Sequence, residues 1–527
     1  MNRFEALMRR AALVLALLLT TACGGGEEEP RTPPAEPPRE IEVDASSTLY
    51  GFVGDTAGNP VEGVVVSDGF QCVATDAGGV YEMKRNAAAE YVYYSVPAEF
   101  KIRTGHDGYP DFYVRLDTSQ QKIRQDFTLE RLAGVERSFR LICIGDPQIN
   151  EASHAVRFKE EAGREIREYA ASAGVPCYGI TLGDHVNNKW TLFTNMVVAL
   201  QPEQTGVPVF ATIGNHDHEF PTADEKAARA KYESYFGPVD YSFNRGDVHV
   251  VSMDNVIHSC KASADYEGGF TAAQYAWLKQ DLSFVPKDKM VILCVHIPFR
   301  GGWGTNSAHA DADKYYDEVL DLLSQYEYAA IMSAHTHSNI NYIHRKNGKE
   351  IFEHVTGTTC GAWWRSTVCT EGTPIGFGLY RIDGNRMEEW AYRSVRHDEQ
   401  FQIRLYRASD TFVGGAKYRF KQTGADQIVA NIWNWDPSWT VNVYENDVLS
   451  GQMTRNSDID AWTVAYHIGL LNNTDSYRKS SDHMFYYTLK NPAAAVRVEA
   501  IDRFGNKYEQ TVFTDPAEHP GDFHADF

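Results

Sequence analysis

The chain has 527 residues, which is too many for one hydrophobic core, and its length indicates roughly three domains. Its formal net charge of −21 at pH 7 argues against a protein that wraps a nucleic-acid polymer, because such proteins carry a basic face. An acidic chain can still hold a local cationic site, since bound metal ions would supply one.

Residues 1–22 have the pattern of an export signal. Arg3, Arg9 and Arg10 precede the apolar run AALVLALLLT, which has signal-peptide length and is too short to span a membrane. Cys23 follows two small residues, so the stretch resembles the lipobox of a bacterial lipoprotein. The resemblance implies a lipid anchor on Cys23 in the cell envelope, at the outer membrane and facing either the periplasm or the surface. An ordinary signal peptide with an incidental cysteine is the alternative.

Residues 23–44 are mostly Gly, Glu, Pro and Arg, with few apolar residues, which predicts a flexible linker. In residues 45–132 the composition changes. Val, Phe and Tyr there alternate with turn formers such as DTAGNP and DAGG, a rhythm typical of short antiparallel strands. This region resembles the transthyretin-like or carboxypeptidase-regulatory-like β-sandwich that precedes some bacterial surface enzymes.

Residues 138–396 repeat the order strand, loop and helix. The apolar strands FRLICIG, CYGITLG, PVFATIG, MVILCVH and YAAIMSA alternate with helical stretches such as VRFKEEAGREIREYAASAG and DADKYYDEVLDLLSQY. This alternation predicts a layered α/β domain whose ligands bind at the carboxyl ends of the strands. In residues 397–527 the helical signals fade, and WTVNVYEND, MFYYTL and AVRVEAIDRFGNKYEQTV predict a second all-β sandwich.

Oxygen and imidazole donors follow the end of each of these apolar strands. In chain order they are Asp146 and Gln148, then Asp184, then Asn215, His216 and Asp217, then His296, and finally His335 and His337. Taken singly, such residues are often helix caps or core residues whose polar groups are hydrogen-bonded. Taken together at the same layer of one sheet, they predict a metal site.

These strand ends resemble the ordered motifs of the calcineurin-like metallophosphoesterase superfamily, namely D-x-H, GD, GNH[DE], a lone His and GHxH. The resemblance covers residues 138–396 and implies a four-layer αββα core, flanked here by two all-β sandwich domains. It also implies an enzyme that hydrolyses phosphomonoesters, phosphodiesters or pyrophosphates. The sequence departs from the motifs at Ala334, where the family has Gly, and at Gln148, where the family has His.

The resemblance further implies two divalent metal ions that share Asp184. The other ligands would be Asp146, Gln148 and His337 at the first ion, and Asn215, His296 and His335 at the second. One shared carboxylate keeps two ions about 3.5–4 Å apart, and a hydroxide between them can attack phosphorus in line.

Gln148 offers only a carbonyl oxygen, which is a harder and weaker donor than imidazole. We therefore expect the first site to prefer Mn²⁺ or Mg²⁺, although Fe or Zn would still be possible. Similar D-x-Q motifs occur in branches of the superfamily that hydrolyse nucleotide-sugar or CDP-alcohol pyrophosphates and in some protein phosphatases. Gln148 thus indicates a subfamily, and a decayed one-metal site is the alternative.

His216 resembles the family histidine that faces the substrate. Asp217 beside it could hold the His216 ring and raise its pKa, so that His216 would protonate the leaving alkoxide. His185, Asn187 and His218 flank the same loops and could orient the metal ligands.

Two loops could contact a small phosphorylated substrate. Arg300 and His309 lie in a Gly-rich segment and could touch a phosphate, although such residues are more often simply solvated. Trp363, Trp364 and Arg365 could stack on a ring and bind a phosphate. They could equally form an apolar seam with the C-terminal sandwich. The sequence indicates no particular protein partner.

Two questions stay open at this level. Cys360 and Cys369 could pair across a loop or remain free thiols, while the other scattered cysteines form no CxxC pair and exclude a zinc ribbon. The chain could also be a non-catalytic surface lipoprotein that binds glycan or a partner and retains the phosphoesterase core as a scaffold. The intact strand-end donors favour the enzyme.

Overall fold

The computed structural model describes residues 39–300, 314–410, 412–413, 417–418, 420–474 and 477–515. The chain divides into two compact units, Met1–Glu42 and Val43–Phe527. The predicted signal peptide, Cys23, most of the linker and His309 lie outside the described residues. Among the residues described, no helix is long and apolar enough to cross a membrane.

Short strands form the first part of the second unit. They are β1 (Leu49–Asp55), β2 (Val65–Ser67), β3 (Cys72–Ala74), β4 (Val80–Met83), β5 (Tyr91–Tyr94), β6 (Tyr113–Arg115), β7 (Ile123–Arg124) and β8 (Phe127–Leu129). One sheet has the antiparallel order β3–β2–β5–β6. In the other, β1 pairs with β4 antiparallel and with β7 and β8 parallel. The parallel pairs depart from the predicted antiparallel rhythm, while the all-β character is confirmed.

The strands of the central part run from β9 to β21. They are β9 (Ser138–Ile144), β10 (Cys177–Leu182), β11 (Val209–Thr212), β12 (Tyr241–Arg245), β13 (Val248–Ser252), β14 (Val256–His258), β15 (Tyr266–Gly268), β16 (Met290–Cys294), β17 (Tyr328–Ser333), β18 (Ile340–Lys346), β19 (Lys349–Val355), β20 (Gly376–Asp383) and β21 (Arg386–Ser394). One sheet has the order β11–β10–β9–β20–β21 and another the order β12–β13–β16–β17–β19–β18. β14 and β15 form a separate hairpin.

Helices accompany both sheets and give the predicted four-layer α/β core. They are α1 (Ala152–Phe158), α2 (Arg164–Ser172), α3 (Phe193–Leu200), α4 (Pro202–Thr205), α5 (Glu225–Phe236), α6 (Ala272–Ser283) and α7 (Tyr316–Leu323). The π-helical turn Lys159–Gly163 joins α1 to α2, so the predicted helix there is confirmed with an irregular centre. Capping side chains mark two helix starts: Asp224 accepts from Ala227 N, and Thr271 accepts from Gln274 N.

The strand ends that carry the predicted ligands belong to two sheets, so the expectation of one sheet is wrong. β9, β10 and β11 are parallel neighbours in the five-stranded sheet. β16 and β17 are parallel neighbours in the six-stranded sheet. Every residue of β10, β11 and β16 is buried, as expected of parallel strands covered on both faces. Both sets of strands present their carboxyl ends to one site.

The C-terminal part is mainly strand. Its elements are β22 (Ile403–Arg407), β23 (Phe412–Val413), β24 (Lys417–Tyr418), β25 (Gln427–Ile432), β26 (Thr440–Glu445), β27 (Val448–Gln452), β28 (Thr454–Arg455), β29 (Asp458–Ile459), β30 (Ser480–Ser481), β31 (Met484–Thr488), β32 (Val496–Ile501) and β33 (Lys507–Gln510). Two four-stranded sheets have the orders β22–β25–β31–β28 and β27–β26–β32–β33. The three quoted strand stretches are confirmed as β26, β31 and the β32–β33 pair.

This part also contains a helical insertion that was not predicted from the sequence. Helix α8 (Ala461–Thr463) continues into the π-helix Val464–Leu470, and the Asp460 side chain caps its start by accepting from Thr463 N. The insertion reaches the central part, because His467 Nε2 lies 2.7 Å from Ser366 Oγ. Hydrogen bonds between buried residues thus join the C-terminal part to the core, and Asn339 Nδ2 adds another by donating to Trp433 O (2.8 Å).

Candidate metal centre

Strained backbone places the predicted ligands at the strand ends. The residues concerned have φ values from 35° to 65°, and they are Asp146, Gln148, Asp184, His335 and His337. A residue other than glycine in this left-handed region costs on the order of 1–3 kcal/mol, and such strain concentrates at functional sites. The loops after β9, β10 and β17 therefore turn sharply, and they direct these side chains to a common point.

His296 is the centre of one group of donors. Its Nε2 lies 3.0 Å from Asn215 Oδ1, 3.1 Å from His335 Nδ1 and 3.3 Å from Asp184 Oδ1. His296 Nδ1 lies 2.7 Å from Leu182 O, which can only accept, so the proton belongs on Nδ1. Nε2 is then free to be a ligand, and the ligand atoms of Asp184, His296 and His335 all lie within 4.8 Å of one another.

A second group of donors surrounds Asp146. Asp146 Oδ2 accepts from His335 N (3.0 Å), and His337 Nε2 lies 3.7 Å from Asp146 Oδ1. Gln148 Nε2 donates to Asp184 Oδ2 at 3.2 Å, so the Asp184 carboxylate touches both groups. The Asp146 group corresponds to the first ligand set that the resemblance implies, and the His296 group corresponds to the second.

Three buried atoms of the first set have no hydrogen-bond partner among the described residues: Asp146 Oδ1, Gln148 Oε1 and His337 Nδ1. Leaving such an atom unpaired costs about 1–3 kcal/mol, and native proteins seldom do so without a reason. A carboxylate oxygen, an amide oxygen and an imidazole nitrogen are all ligands for divalent cations. The residues present therefore fit a metal ion at this position.

The electrostatics of the two carboxylates differ. Burial raises the pKa of Asp146, and the neighbouring Asp184 carboxylate adds to this rise. Burial opposes ionisation of Asp184 as well, but the charges of His296 and His216 outweigh it and lower the pKa of Asp184. Burial likewise disfavours a charged His296, yet Asp184 raises its pKa to about 9. The centre therefore concentrates negative charge on Asp184, where both donor sets meet.

His216 is held by Asn188, which was not among the predicted site residues. His216 Nδ1 lies 2.9 Å from Asn188 Oδ1, and His216 O accepts from Trp190 Nε1 (3.1 Å). Its own backbone N donates to Asp184 Oδ1 at 2.9 Å. The imidazole is half-buried at the edge of the donor cluster, which suits a group that meets substrate.

The expectation that Asp217 holds the His216 ring is wrong. The Asp217 carboxylate accepts instead from His185 N (2.8 Å) and Gly214 N (3.0 Å), and it lies 3.0 Å from His185 Nδ1. Residues Asn215–Asp217 form a 3₁₀ turn, in which successive side chains point in directions about 120° apart. Asp217 therefore ties the loops after β10 and β11 together and does not contact the His216 ring.

Family models match three consecutive parts of the chain. They are described as the N terminal of calcineurin-like phosphoesterase (residues 47–132), calcineurin-like phosphoesterase (residues 139–339) and the C terminal of calcineurin-like phosphoesterase (residues 353–508). Together they account for most of the described chain. The protein belongs to the calcineurin-like phosphoesterase family.

Curated relatives include two plant enzymes from Arabidopsis thaliana. Purple acid phosphatase 23 is 26% identical over 181 residues, 31% of this chain and 36% of that protein. Purple acid phosphatase 18 is 25% identical over 182 residues, 32% of this chain and 38% of that protein. The chain thus spans little more than a third of the length of the curated relatives it matches.

Solved structures that match part of the chain include a purple acid phosphatase from yellow lupin (Lupinus luteus) seeds. It has 13% identity and a TM-score of 0.35, with 50% of this chain and 52% of that chain covered. A 5'-nucleotidase precursor from Thermus thermophilus has 10% identity and a TM-score of 0.29, with 49% and 54% covered.

The other loop histidines act at a distance from the donor cluster. His218 Nδ1 lies 2.9 Å from Gly214 O, and His218 Nε2 lies 3.2 Å from Asp254 Oδ2. Burial opposes a charge on His218, but Asp254 prevails and raises its pKa to about 8. Asn187 contributes a backbone hydrogen bond from its N to Ile149 O. His185 and His218 thus brace the loops, and the prediction that they orient the metal ligands stays a prediction.

Two residues near the centre come from distant parts of the sequence. Tyr266 OH, on the β14–β15 hairpin, lies 3.3 Å from His335 Nε2. Lys479, in the C-terminal part, directs its Nζ to Thr336 O at 3.4 Å, between two predicted ligands. Burial lowers the pKa of Lys479 to about 7. Neither residue stands near a recognisable motif, so only the fold reveals them.

The candidate substrate residues have different surroundings. Trp364 is only 6% exposed, and its Nε1 donates to Pro147 O at 2.8 Å, so little of its ring is open, and its contact with substrate stays a prediction. Arg365 is exposed and donates Nη1 to Asn473 Oδ1 (2.9 Å). The Arg300 guanidinium lies 5.5 Å from the Tyr342 ring. The prediction for Arg300 remains a prediction.

The cysteines in the described residues are free. Cys360 and Cys369 are both buried and unbonded, so the disulfide alternative is not realised. Cys143 and Cys294 are fully buried inside β9 and β16, as expected of small apolar residues. Burial raises the pKa of the Cys360 thiol, which keeps it protonated and inert as a ligand.

We expect Gln148→His to strengthen metal binding at the first site and to shift its content toward Zn or Fe, because imidazole is the better donor for those ions. The measurement is metal content after incubation with equal Mn²⁺, Zn²⁺ and Fe²⁺. The control is Gln402→His, since Gln402 is also buried with an unpartnered Oε1 but lies in the C-terminal part. An unchanged metal ratio in Gln148→His would show that this side chain does not reach the ion.

Proposed function

We propose that this protein is a metal-dependent phosphoester hydrolase. The observation that carries the proposal is a buried junction at Asp184 between two donor sets, one of which holds three unpartnered polar atoms. A retained scaffold would gain stability by replacing those atoms with apolar side chains. Membership of the calcineurin-like phosphoesterase family supports the same conclusion.

The residues of the first set are Asp146, Gln148, Asp184 and His337, and those of the second are Asp184, Asn215, His296 and His335. When bound, two divalent ions would supply Lewis-acid stabilisation of charge on the phosphoryl group and a water of lowered pKa. We infer Mn²⁺ or Mg²⁺ at the first site, since Gln148 provides oxygen where imidazole would favour Zn or Fe.

The chain's own groups then orient the substrate and move a proton. Asn188 engages His216 Nδ1, so Nε2 is the nitrogen available to give a proton to the leaving oxygen. The Asp184 carboxylate is fixed by His216 N and by Gln148 Nε2, which keeps the bridging group from rotating. Asp217 and His185 hold the two loops that carry these residues.

The substrate would be a small phosphorylated molecule, as a monoester, diester or pyrophosphate. The net charge of −21 opposes binding to a nucleic-acid polymer. We further propose that the enzyme is held in the cell envelope by a lipid on Cys23. Metabolic labelling with palmitate tests this anchor, because Cys23→Ser should lose the label that the wild type incorporates.

Colour release from p-nitrophenyl phosphate and from bis-p-nitrophenyl phosphate tests the activity. We expect turnover to vanish after chelation and to return with Mn²⁺, because the donor sets lack charge-stabilising cations without it. The ratio of the two rates separates a monoesterase from a diesterase. Protein that binds metal but turns over neither substrate with Mn²⁺, Mg²⁺, Zn²⁺ or Fe²⁺ would favour the binding lipoprotein instead.

A further inference from the structure

Two consecutive tryptophans beside the metal centre have strained backbones. Trp363 and Trp364 have φ values of 52° and 64°, both in the left-handed region that bulky residues avoid. Trp364 is the anchor of the pair: its Nε1 donates to Pro147 O, and its own O accepts from Arg157 Nη1 (2.8 Å). Trp364 is therefore buried, whereas Trp363 is only half-buried.

The Trp363 ring lies beside a predicted metal ligand. The Trp363 ring is 4.8 Å from the ring of His337, with 35° between their planes, and the residue is half-buried. An indole in this place contributes no ligand to a metal ion. It does place an aromatic surface directly beside the first donor set.

A segment of the C-terminal part completes this surface. The Tyr477 ring meets the Trp363 ring edge-on at 5.3 Å, and Lys479 directs Nζ to Thr336 O. The segment is firmly placed, because Lys479 N donates to Thr370 O (2.9 Å) and Tyr477 O lies 2.7 Å from His467 Nδ1. The C-terminal part therefore reaches the rim of the metal centre with an aromatic ring and a cation.

We propose that Trp363, Tyr477 and Lys479 form a recognition subsite for the organic group of the substrate, which selects phosphoesters bearing a planar ring and a second negative charge. The proposal rests on the hydrolase function proposed above and narrows its substrate class. Indole and phenol rings stack on planar groups, and the lysine side chain in its protonated form is a point charge suited to a second phosphate or carboxylate.

A seam between two parts of the protein would explain the contact of Trp363 with Tyr477 but not the rest of the arrangement. A seam does not require strained backbone at two successive residues. Nor does it require a lysine at the loop between His335 and His337, although the buried Glu371 carboxylate offers this lysine an opposing charge. A subsite that receives a flat anion would place aromatic rings and a basic side chain together beside the first donor set, as Trp363, Tyr477 and Lys479 are placed.

The test compares substrates that differ in a ring and in a second charge. β-Glycerophosphate has neither, p-nitrophenyl phosphate has the ring, pyrophosphate has the charge, and ADP has both. Phosphate release gives kcat/KM for each. In Trp363→Leu we expect kcat/KM for ADP and for p-nitrophenyl phosphate to fall roughly tenfold relative to kcat/KM for β-glycerophosphate, because one stacking surface is removed. In Lys479→Gln we expect kcat/KM for ADP and for pyrophosphate to fall roughly tenfold relative to kcat/KM for p-nitrophenyl phosphate.

Matched controls come from the C-terminal part. Trp435→Leu removes another half-buried tryptophan, and Lys421→Gln removes another ammonium that donates to a backbone oxygen, Ser457 O (2.6 Å). Both should keep the substrate ratios of the wild type. Wild-type substrate ratios in Lys479→Arg would show that the subsite needs the positive charge and not the shape of lysine. Equal losses on all four substrates in Trp363→Leu and Lys479→Gln would reduce these residues to structural supports and overturn the subsite.

Calorimetry with α,β-methylene ADP on the Mn²⁺-loaded protein separates the subsite from the activity. We expect binding to weaken roughly tenfold in Trp363→Leu and in Lys479→Gln, but not in either control. This result would support the subsite even if the wild type hydrolysed nothing, in which event only the hydrolase function fails. Absence of binding to the wild type, or equal binding by all variants, would overturn the subsite while leaving any measured hydrolysis intact.

Discussion

Asp184→Asn is expected to release both metal ions together and to lower turnover by about 10⁴-fold, about 5.5 kcal/mol of barrier. The reason is the position of this carboxylate, which lies 3.3 Å from His296 Nε2 in one donor set and accepts from Gln148 Nε2 in the other. Asparagine keeps the shape but removes the charge that would balance two divalent cations. The two donor sets then no longer share an anionic ligand.

Metal content, turnover and thermal unfolding should be measured on the same preparation. Asp281→Asn is the matched control, since Asp281 is a buried carboxylate 2.7 Å from His249 Nε2 in another part of the core. It should retain both ions, even if it unfolds more easily. His337→Ala should release mainly the first ion. Two tightly held ions in Asp184→Asn would show that Asp184 does not bridge.

Much of the candidate centre could be predicted because its residues directly follow strands. A buried strand such as β9 is visible from its apolar residues, and Asp146 comes two positions after it ends. The same local reasoning applies to Asp184 after β10 and to His296 after β16. Chain order alone therefore indicates which polar residues the fold brings to the carboxyl ends.

Pairing between strands was harder to predict, because it depends on contacts across the chain. No local feature of the sequence distinguishes β11 from β16, yet β11 joins the five-stranded sheet and β16 joins the six-stranded sheet. The helical insertion Val464–Leu470 was missed for a related reason. Its β-branched and aromatic residues have modest helix propensity, and tertiary contacts such as the one with Ser366 help to stabilise it.

Side-chain partners near the centre were the least predictable feature. Asp217 was expected to hold His216 because the two are adjacent in sequence, but the 3₁₀ turn separates them and Asn188 takes that place. Lys479 stands 143 positions from the residue whose carbonyl it contacts. Only the docking of the C-terminal part brings Lys479 to the first donor set, so no sequence motif could have predicted its position there.

His216→Ala is expected to leave both metal ions bound and to lower turnover by about 10²–10⁴-fold, the usual contribution of a general acid. Metal should stay because Asn215, not His216, belongs to the second donor set, and His216 reaches Asp184 through its backbone N. The loss should be smaller for p-nitrophenyl phosphate, whose leaving group needs little protonation. It should be larger for an alkyl phosphate, whose alkoxide needs a proton most.

The comparison therefore uses p-nitrophenyl phosphate and β-glycerophosphate under saturating Mn²⁺, with His397→Ala as the control. His397 is a half-buried histidine stacked on Phe401 at 4.0 Å, away from the donor sets, and its loss should change neither rate more than about twofold. Equal losses on both substrates in His216→Ala would make His216 a positioning residue. No loss on either would show that the measured activity does not arise at this centre, because His216, whose backbone N donates to Asp184, is the group expected to protonate the leaving oxygen there.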